Sequence, residues 1–315
     1  MSRKDKPCLK MQAKARFDAL RCFGRSKHED KAIAGREYDR LVNPTMSRQE
    51  YINEAIRDKI YSLNSYKTYA KHNNYFFRFC EEKYHCKTLK ECHEHINEWL
   101  QSRVDAGLSA CTIDTEKSGL GKLYQEPSTN YLKTPSRARE DITRSRGYAE
   151  RDRGFSLKNN AEIINFARGT GLRAFELAKL KGTDLKAVNG EYTLTVRGKG
   201  GKWRDVPVVG PHKQDIVNRC LNAGDGRVWA SVPSHMDTHG YRSDYATAIY
   251  TAYARPLEEL KSEKFYNPKT GKMESAVYYC RGDRKGDWLD KQAMLKASEA
   301  LGHSRIDVVA AHYIR

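Results

Sequence analysis

LGHSRIDVVAAHY, residues 301–313, is the stretch of this sequence that decides its fold. The pattern predicts a helix that ends at Gly302, presents His303 and is followed by a second helix with Ser304 as its N-cap, answered by Asp307. One stripe of that second helix carries Ile306, Val309, Ala310 and Tyr313. The closing tyrosine is therefore expected to point inward. A tyrosine on an apolar stripe is usually a core residue, and only its neighbours in the fold can give it another role.

Two patches further upstream place cations beside glycines. TGLRAFEL (170–177) puts Arg173 just after a glycine break and at the start of a helix, whose amide groups and dipole favour an anion. RGKGGKWR (197–204) puts Lys199 and Lys202 on the glycine-rich tip of a hairpin. Taken alone, each patch is typical of a solvated surface.

A third patch, HGYRSDYATAIY (239–250), sets His239 and Arg242 three residues apart. That spacing is one helical turn, so both side chains can face one site. The spacing by itself occurs by chance in many helices. The order of all the patches along the chain, Arg, Lys, His-x-x-Arg, Leu-Gly-His and Tyr, is much more specific.

Charge and composition favour a polyanionic partner. The 315 residues carry a formal charge of +17 and include 19 tyrosines, which suit hydrogen bonding to phosphate. An ordinary solvated basic surface is the alternative. No apolar run approaches the roughly 20 residues that span a bilayer, and the first residues lack the apolar core of a signal peptide. We therefore expect an intracellular protein with reduced cysteines and no membrane partner.

Three cysteines lie six residues apart beside three histidines. The six residues are Cys80, Cys86, Cys92, His85, His93 and His95. Their spacing matches no common zinc pattern, so buried helix cysteines are the preferred interpretation. We expect no metal and no cofactor.

The sequence divides into four predicted segments. Residues 1–50 hold 13 Lys/Arg against 7 Asp/Glu, which is typical of a basic N-terminal arm that is partly helical or disordered until it binds a partner. Residues 51–126 show helical apolar spacing and predict an all-helical domain. Residues 127–153 contain two prolines and many charges, as in an extended basic linker. Residues 154–315 mix helical periods with strands.

The predicted fold is mainly α with a small antiparallel β-sheet. Residues 66–84 place Tyr69, Phe76, Phe79 and Cys80 on one apolar helix face, and Ser109 or Thr112 could start a later helix. Residues 191–209 alternate apolar and polar positions on both sides of a glycine-rich turn, which predicts a hairpin. Residues 263–280 indicate a second hairpin or an irregular insertion.

The ordered patches resemble those of the tyrosine recombinase (phage integrase) family, over about residues 60–315. The helical segment resembles the family's core-binding, SAM-like DNA-binding domain, and the four patches resemble its mostly helical catalytic domain. The family cuts DNA strands through a covalent 3′-phosphotyrosine and rejoins them to new partners, normally as a tetramer on two sites. The resemblance implies a mobile-element integrase of the bacterial cytoplasm and nucleoid. Its partners would be double-stranded DNA, further copies of the chain, and accessory DNA-bending or directionality factors.

Six side chains acquire a role from this resemblance: Arg173 and Arg242 clamp the phosphate, Lys199 is the hairpin lysine, His239 and His303 are the two histidines, and Tyr313 is the nucleophile. Planar guanidiniums can fork onto phosphate oxygens, and a preorganised site stabilises the charge that builds up during attack. A free tyrosine has a pKa of ~10, so His239 is the candidate for handling its proton and Lys199 the general acid for the departing 5′ oxygen. The covalent intermediate conserves bond energy, so no ATP is required.

Further DNA contacts are expected at basic and aromatic positions of the same segments. They are Lys202, Arg204, Tyr66, Lys67, Lys71 and Lys117. Glu176 and Asp205 are interpreted as structural groups beside the site.

The sequence departs from the family pattern in three places. Tyr313 lies ten residues after His303 of the Leu-Gly-His motif, whereas in many relatives the tyrosine lies nine residues after the histidine. The ninth position is His312 here, and one extra residue in the connecting turn explains the difference. Segment 255–290 is longer than usual and could touch DNA, touch a neighbouring protomer or simply decorate the fold. Its Tyr278 and Arg281 have the same spacing as the His-x-x-Arg pair. The residues around His239 and Arg242 match the family pattern over a longer stretch, so that pair is preferred. The sequence ends two residues after the tyrosine, which indicates a trimmed chain or other contacts in an assembly.

Two other activities stay open at this stage. A type IB topoisomerase uses nearly the same residues but relaxes supercoils as a monomer. A non-catalytic DNA-binding regulator could retain the scaffold alone. The basic N-terminal arm favours an integrase with a second set of DNA contacts.

Overall fold

The computed structural model describes residues 7–136, 154–198, 201–267, 270–303 and 305–314. Contacts between Cα atoms divide the chain into a first unit, Met1–Arg137, and a second unit, Ala138–Arg315. The described residues are mainly helical, with small antiparallel sheets in the second unit. The predicted fold class is therefore confirmed.

The described part of the first unit consists of seven α-helices and one short 3-10 helix. The α-helices are α1 (Leu9–Ala19), α2 (Lys27–Tyr38), α3 (Arg48–Ala55), α4 (Leu63–Tyr84), α5 (Leu89–His93), α6 (Ile96–Asp105) and α7 (Ala110–Tyr124). Hydroxyl side chains cap five of these helices, because they accept hydrogen bonds from first-turn amides that have no helical partner. Ser62 caps α4 and Ser109 caps α7, so the later of the two predicted helix starts, Thr112, is not used.

The core of the first unit forms where the apolar faces of α4, α6 and α7 meet. Phe76 and Trp99 lie with their ring centroids 5.3 Å apart, and Leu120 is fully buried beside them. Burying each such side chain contributes about 1.5–3 kcal/mol. The predicted apolar face of residues 66–84 is therefore the face that packs.

Helix α1 belongs to this same core. Leu9, Ala13 and Phe17 recur every four residues and are each at most 4% exposed. The small number of large apolar residues in residues 1–50 predicts a polar arm instead. Three apolar positions on one face are nevertheless enough to dock a short helix.

The predicted linker begins against the first unit. The short 3-10 helix Ser128–Asn130 follows α7, and the Tyr131 side chain is 7% exposed in the same core. Residues 137–153, the greater part of the predicted basic linker, lie outside the described residues.

The described part of the second unit contains seven α-helices and seven strands. The helices are α8 (Ala161–Thr170), α9 (Ala174–Leu177), α10 (Lys213–Ala223), α11 (Thr238–Tyr253), α12 (Leu257–Leu260), α13 (Lys291–Leu301) and α14 (Ile306–His312). The strands are β1 (Leu185–Val188), β2 (Glu191–Arg197), β3 (Trp203–Pro207), β4 (Lys264–Asn267), β5 (Lys272–Ser275), β6 (Val277–Tyr279) and β7 (Trp288–Asp290).

Strands β1, β2 and β3 form an antiparallel sheet in sequence order. The predicted hairpin at residues 191–209 is thus confirmed, and β1 is an additional strand. Val196 pairs with Arg204 across the hairpin. Because residues two apart on a strand share a face, Arg204 lies on the same side as buried Val206 and Val208 and points toward the core.

Segment 255–290 contains two small antiparallel pairs. Strands β4 and β5 pair from Lys264 with Ser275 to Asn267 with Lys272, which confirms the predicted second hairpin. Strands β6 and β7 form the other pair and lead directly into α13.

Helix α11 is the centre of the second unit, because it packs against both α8 and α13. Its Tyr245 is fully buried, and the hydroxyl donates to the carbonyl oxygen of Pro207 at 2.8 Å. The start of α11, with its His-x-x-Arg patch, is also bonded to the ends of α13 and α14, because Arg242 donates to the carbonyl oxygen of Leu301 and Ser243 to that of Tyr313.

None of the eight cysteines, all of which lie in the described ranges, forms a disulfide bond. Cys80, Cys86 and Cys92 are buried in the first unit, as the sequence predicts. In the part of the chain that the structure describes, no group of three or more His, Cys, Asp or Glu side chains is arranged to hold a metal ion. Nor does any helix within the described ranges combine the length and apolar character that crossing a bilayer requires.

Candidate active site

Gly171 determines where Arg173 lies. Gly171 follows the last residue of α8 with a φ of +57°, in the left-handed region. A Cβ atom there would lie 2.3 Å from Cδ1 of Tyr245, so only glycine fits without displacing the ring. The chain then turns, and Arg173 becomes the N-cap residue of α9, with its backbone N–H donating to Glu176 at 2.8 Å. The predicted break before Arg173 is confirmed.

Arg242 is a fully buried guanidinium in the middle of this region. Its Nη1 donates to the carbonyl oxygen of Gly171, and its Nη2 donates to that of Leu301 at 3.1 Å. Its Nε is buried and has no hydrogen-bond partner among the described residues. Burial, and then the positive charge of Arg173, lower the pKa of Arg242 to about 10, so the group stays charged at neutral pH.

Glu176 holds two arginines together. Its carboxylate accepts a forked pair of hydrogen bonds from Arg204, at 2.8 and 2.9 Å, and a third from Arg173 at 3.0 Å. Burial alone would raise the pKa of Glu176, but the bonds from Arg204, the backbone N–H of Arg173 and both charges lower it to about 2. Arg204 also donates through Nε to the carbonyl oxygen of Ala300 at 3.2 Å.

Gly302 and His303 follow the end of α13. Gly302 has a φ of +69°, and a Cβ atom on it would lie 2.7 Å from Cδ of Arg204. The His303 backbone is held on both sides, since its N–H donates to the carbonyl oxygen of Ser298 at 2.8 Å and its carbonyl accepts from the Ser298 hydroxyl at 3.1 Å.

The His303 ring is neutral at physiological pH. Burial, and then the charges of Arg242 and Arg173, lower its pKa to about 4. Its Nε2 atom is buried and has no hydrogen-bond partner within the described ranges. A neutral imidazole can donate from one ring nitrogen and accept at the other.

Tyr313 lies against this cluster at the end of α14. Its side chain is buried, with 8% of the residue exposed. Its ring centroid is 5.1 Å from that of His303 and 5.7 Å from the guanidinium carbon of Arg242. Its backbone carbonyl accepts hydrogen bonds from the hydroxyls of Ser243, at 2.6 Å, and Thr247, at 3.3 Å. The predicted inward orientation is confirmed.

His239 occupies the first turn of α11, one turn before Arg242. The residue as a whole is exposed, which leaves its ring reachable from solvent. Partial burial of the ring, and then the charge of Arg242, lower the pKa of His239 below its usual value. Asp237, whose side chain caps α11 by accepting from the Gly240 N–H at 3.0 Å, opposes that shift.

No family model matches this sequence. Among solved structures, the XerH site-specific recombinase bound to a palindromic difH substrate, in a post-cleavage complex, aligns over 96% of this chain and 90% of its own, at 16% identity and a TM-score of 0.53. Its pre-cleavage complex with difH aligns over the same shares at a TM-score of 0.50. This chain has the tyrosine recombinase fold. The Tn1549 transposon integrase in complex with circular intermediate DNA aligns over 79% of this chain and 94% of its own, at 15% identity and a TM-score of 0.39.

Within this tyrosine recombinase fold, five of the six predicted site residues form one cluster: Arg173, His239, Arg242, His303 and Tyr313. The charges of Arg173 and Arg242 act on both histidines. The sixth residue, Lys199, lies outside the described residues. The hairpin that carries it closes with a hydrogen bond from the Gly198 N–H to the carbonyl oxygen of Lys202 at 2.7 Å.

The other residues expected to contact DNA fall into two groups: exposed side chains, and side chains that are bonded within the protein. Lys202 on the hairpin and Lys67 and Lys71 on α4 are exposed. Arg204 is not open, because its position on β3 turns it inward to Glu176, where 9% of its side chain is exposed.

Two side chains of the first unit that are expected to contact DNA also make contacts within the protein instead. The Tyr66 hydroxyl donates to Asp18 at 2.6 Å, and its ring packs on the unit's core. Lys117 is buried at 8% exposure and donates to the Thr134 hydroxyl at 3.2 Å. Neither side chain presents an open group to a phosphate in this structure.

Three residues offer alternatives to the predicted site residues: His312 to Tyr313, and Tyr278 with Arg281 to the His-x-x-Arg pair. His312, at the nine-residue position, is exposed, whereas the next residue, Tyr313, is buried. Tyr278 is half-buried on β6 and packs against the core of the second unit, and Arg281 is exposed. It is therefore the ring of Tyr313 that lies against the guanidinium group of Arg242.

Sequence reasoning overlooked the residues that hold the tyrosine in place. Ser243 and Thr247 lie four and eight residues after His239 on α11, so the three share one helix face. That spacing is the signal that could have found them. Two small hydroxyl residues on a helix are too common to attract attention without the packing partner.

Proposed function

We propose that this protein is a site-specific DNA recombinase in which Tyr313 attacks a backbone phosphorus. The observation that carries the proposal is a pair of buried side-chain nitrogens with no hydrogen-bond partner among the described residues, Arg242 Nε and His303 Nε2. The Tyr313 ring centroid lies 5.1 Å from that of His303 and 5.7 Å from the guanidinium carbon of Arg242. Buried polar atoms are normally satisfied, so an exception needs a ligand that supplies the missing acceptor.

Charge supports a phosphodiester as that ligand. Three guanidiniums, of Arg173, Arg204 and Arg242, surround one carboxylate, that of Glu176. The low pKa of Glu176 keeps that carboxylate ionised, so the cluster retains excess positive charge. A phosphate group would supply both negative charge and acceptor oxygens. Forked arginine contacts are among the strongest that proteins make to phosphate.

The proposed chemistry balances without an outside reagent. The Tyr313 oxygen forms a bond to phosphorus, and the bond from phosphorus to the 5′ oxygen breaks, leaving a 3′-phosphotyrosine and a free 5′ hydroxyl. His239 takes the tyrosine proton, for which its lowered pKa is suited because the ring is neutral before the reaction. Lys199 supplies the proton to the 5′ oxygen. Attack by a different 5′ hydroxyl then reverses these steps and joins new strands.

His303 has a different part in this proposal. Its neutral ring hydrogen-bonds a non-bridging phosphate oxygen through Nε2, while Arg242 and Arg173 neutralise the charge on the phosphate. Groups that are already in place before the reaction stabilise developing charge most effectively. The fixed backbone of His303 provides that preorganisation.

The finer parts of the proposal rest on the family resemblance. They are integration and excision of a mobile element, assembly as a tetramer on two double-stranded DNA sites, the help of accessory DNA-bending or directionality factors, and a place with the bacterial nucleoid. The exposed Lys67, Lys71 and Lys202 are the residues that we propose contact backbone phosphates. Such contacts give an affinity that falls steeply with salt.

The deciding experiment traps the covalent intermediate. Nicked suicide duplexes built from the DNA that flanks the gene lose the strand end needed for religation, so a protein–DNA adduct resistant to detergent accumulates. Wild type is expected to form the adduct, Tyr313→Phe to form none, and Tyr278→Phe to behave as wild type. An adduct in Tyr313→Phe contradicts the proposal. Relaxation of supercoiled plasmid without strand exchange between two sites would favour the topoisomerase alternative, and DNA binding without any adduct would favour the regulator.

A further inference from the structure

Arg284 contacts the helix that ends at the tyrosine. It lies in segment 255–290, at the end of the 3-10 helix Gly282–Arg284, and is half-buried. Its Nη1 donates to the carbonyl oxygens of Ala310, at 2.9 Å, and Ile314, at 3.0 Å. Those carbonyls lie three residues before and one residue after Tyr313. The contact joins two parts of the chain 26 and 30 residues apart.

The end of α14 needs such a partner. The backbone N–H groups of Tyr313 and Ile314 both donate to the carbonyl oxygen of Val309, at 2.9 and 3.0 Å. The Ala310 carbonyl therefore receives no bond from Ile314, its regular helical donor. The last carbonyls of a helix carry partial negative charge and have no helical partner, so a cation there both satisfies and stabilises them.

Arg284 is itself held by the segment that carries it. Its Nε donates to Asp287 at 2.7 Å. The base of the segment is tied by Arg255, which donates to Asp290 at 2.9 Å and to Glu263 at 2.8 Å. Asp290 caps α13, the helix that leads to His303. The guanidinium therefore projects from a braced part of the second unit.

We propose that Arg284 is a positioning residue that holds the Tyr313 nucleophile in place. The proposal rests on the function proposed above. Ser243 fixes the Tyr313 carbonyl from the α11 side, and Arg284 fixes the carbonyls on both sides of it from the opposite segment. Together they keep the ring of Tyr313 against His303 and Arg242 of the same chain. Segment 255–290 thereby takes part in catalysis through the backbone of α14.

The test separates holding the nucleophile from binding DNA. The full chain is used with the suicide duplex on which wild type forms an adduct, and two quantities are measured: noncovalent affinity, and the single-turnover rate of adduct formation at saturating protein. Arg284→Ala is expected to slow adduct formation by about 10- to 100-fold, because small misplacement of a reacting group costs rates of this order. Its affinity should stay within a factor of about two, because the carbonyls it binds are part of the protein and no phosphate is lost.

Two further variants complete the design. Arg284→Lys should cleave at an intermediate rate, because an ammonium can reach the carbonyls but lacks the fork that holds Asp287 and α14 together. It also keeps the test usable if Arg284→Ala fails to fold. Arg281→Ala removes an exposed cation three residues away and should cleave as wild type does. Wild-type rates in Arg284→Ala, or a loss of affinity that accounts for the loss of rate, would overturn the inference. Failure of wild type itself to form an adduct would instead overturn the proposed function.

Discussion

Glu116 in the first unit and Glu176 in the second are both glutamates with fully buried side chains, and each contacts two basic side chains. Glu116 accepts from Arg103 at 3.0 and 3.3 Å and contacts the His72 ring at 3.1 Å. Glu176 accepts a fork from Arg204 and a further bond from Arg173. Counted as ion pairs alone, the two clusters look alike.

Their surroundings differ in what remains unpaired. The Glu116 carboxylate contacts both Arg103 and His72, and within the described ranges these three side chains have no buried polar atom without a hydrogen-bond partner. Around Glu176 the fully buried Arg242 adds another charge, and Arg242 Nε and His303 Nε2 find no hydrogen-bond partner in the part of the chain that the structure describes. A buried ion pair is weak evidence of function by itself. Excess charge together with unpaired donors is the feature that separates a binding site from a structural cluster.

The largest expected effect distinguishes Arg173 from Arg103. Arg173→Lys should slow adduct formation by about 100- to 1,000-fold, the range seen when one preorganised donor at a reacting oxyanion is lost. Noncovalent DNA binding should stay close to wild type, because the charge is kept. Arg103→Lys is the matched control and should alter neither quantity. Single-turnover rates on the suicide duplex measure adduct formation in both variants, and a noncovalent titration measures their DNA affinity. A wild-type rate in Arg173→Lys would show that Arg173 does not clamp the phosphate.

The next effect compares the two glutamates. Glu176→Gln should lower the free energy of unfolding of the second unit by about 3–5 kcal/mol, because it leaves buried arginine charge unpaired. Glu116→Gln should cost the first unit about 1–3 kcal/mol, because the Arg103 side chain is 25% exposed and water can replace the lost bond. Hydrogen exchange in increasing urea, read peptide by peptide, resolves the units. Equal losses would show that the clusters are equivalent.

The smallest effect uses the pH response of His303. An unfolded histidine has a pKa of ~6.5, whereas the folded value is about 4. Between these values the unfolded chain binds more protons, so the free energy of unfolding falls as pH decreases, by ~1–3 kcal/mol at pH ~4. His303→Gln should remove this part of the pH dependence in the second unit, and the exposed His235→Gln should retain it. Identical profiles for wild type and His303→Gln would contradict the assigned environment.

Local patterns in the sequence predict much of the fold. Helix α4 follows the spacing of Phe76 and Cys80, the β2–β3 hairpin follows alternation around glycines, and Tyr313 points inward as its stripe predicts. The order of the patches also predicts the cluster around Arg242. The first three of these successes share one cause, because each depends on residues close in sequence. The cluster around Arg242 joins residues far apart in the chain, and its prediction comes from the resemblance to the tyrosine recombinase family.

For two other residues the apolar pattern predicts burial, but their positive charge favours a surface position. Arg204 shares strand parity with buried Val206 and Val208, and Lys117 lies on the helix stripe of Ile113 and Leu120, so both inward positions were readable. A basic residue in a basic protein is nevertheless interpreted first as a surface contact. The opposite case is Arg284, whose two carbonyl partners at the end of α14 lie 26 and 30 residues away and leave no local pattern. Contacts of that kind require the tertiary structure.

The most direct test of the central claim is to identify the amino acid that carries the DNA. Wild-type adduct trapped on the suicide duplex is digested with protease and nuclease, and the modified peptide is sequenced by mass spectrometry. The account predicts a nucleotide remnant on Tyr313 and on no other tyrosine. A remnant on Tyr278 or any other residue, or the absence of a covalent species on a duplex that the protein cuts, would contradict it.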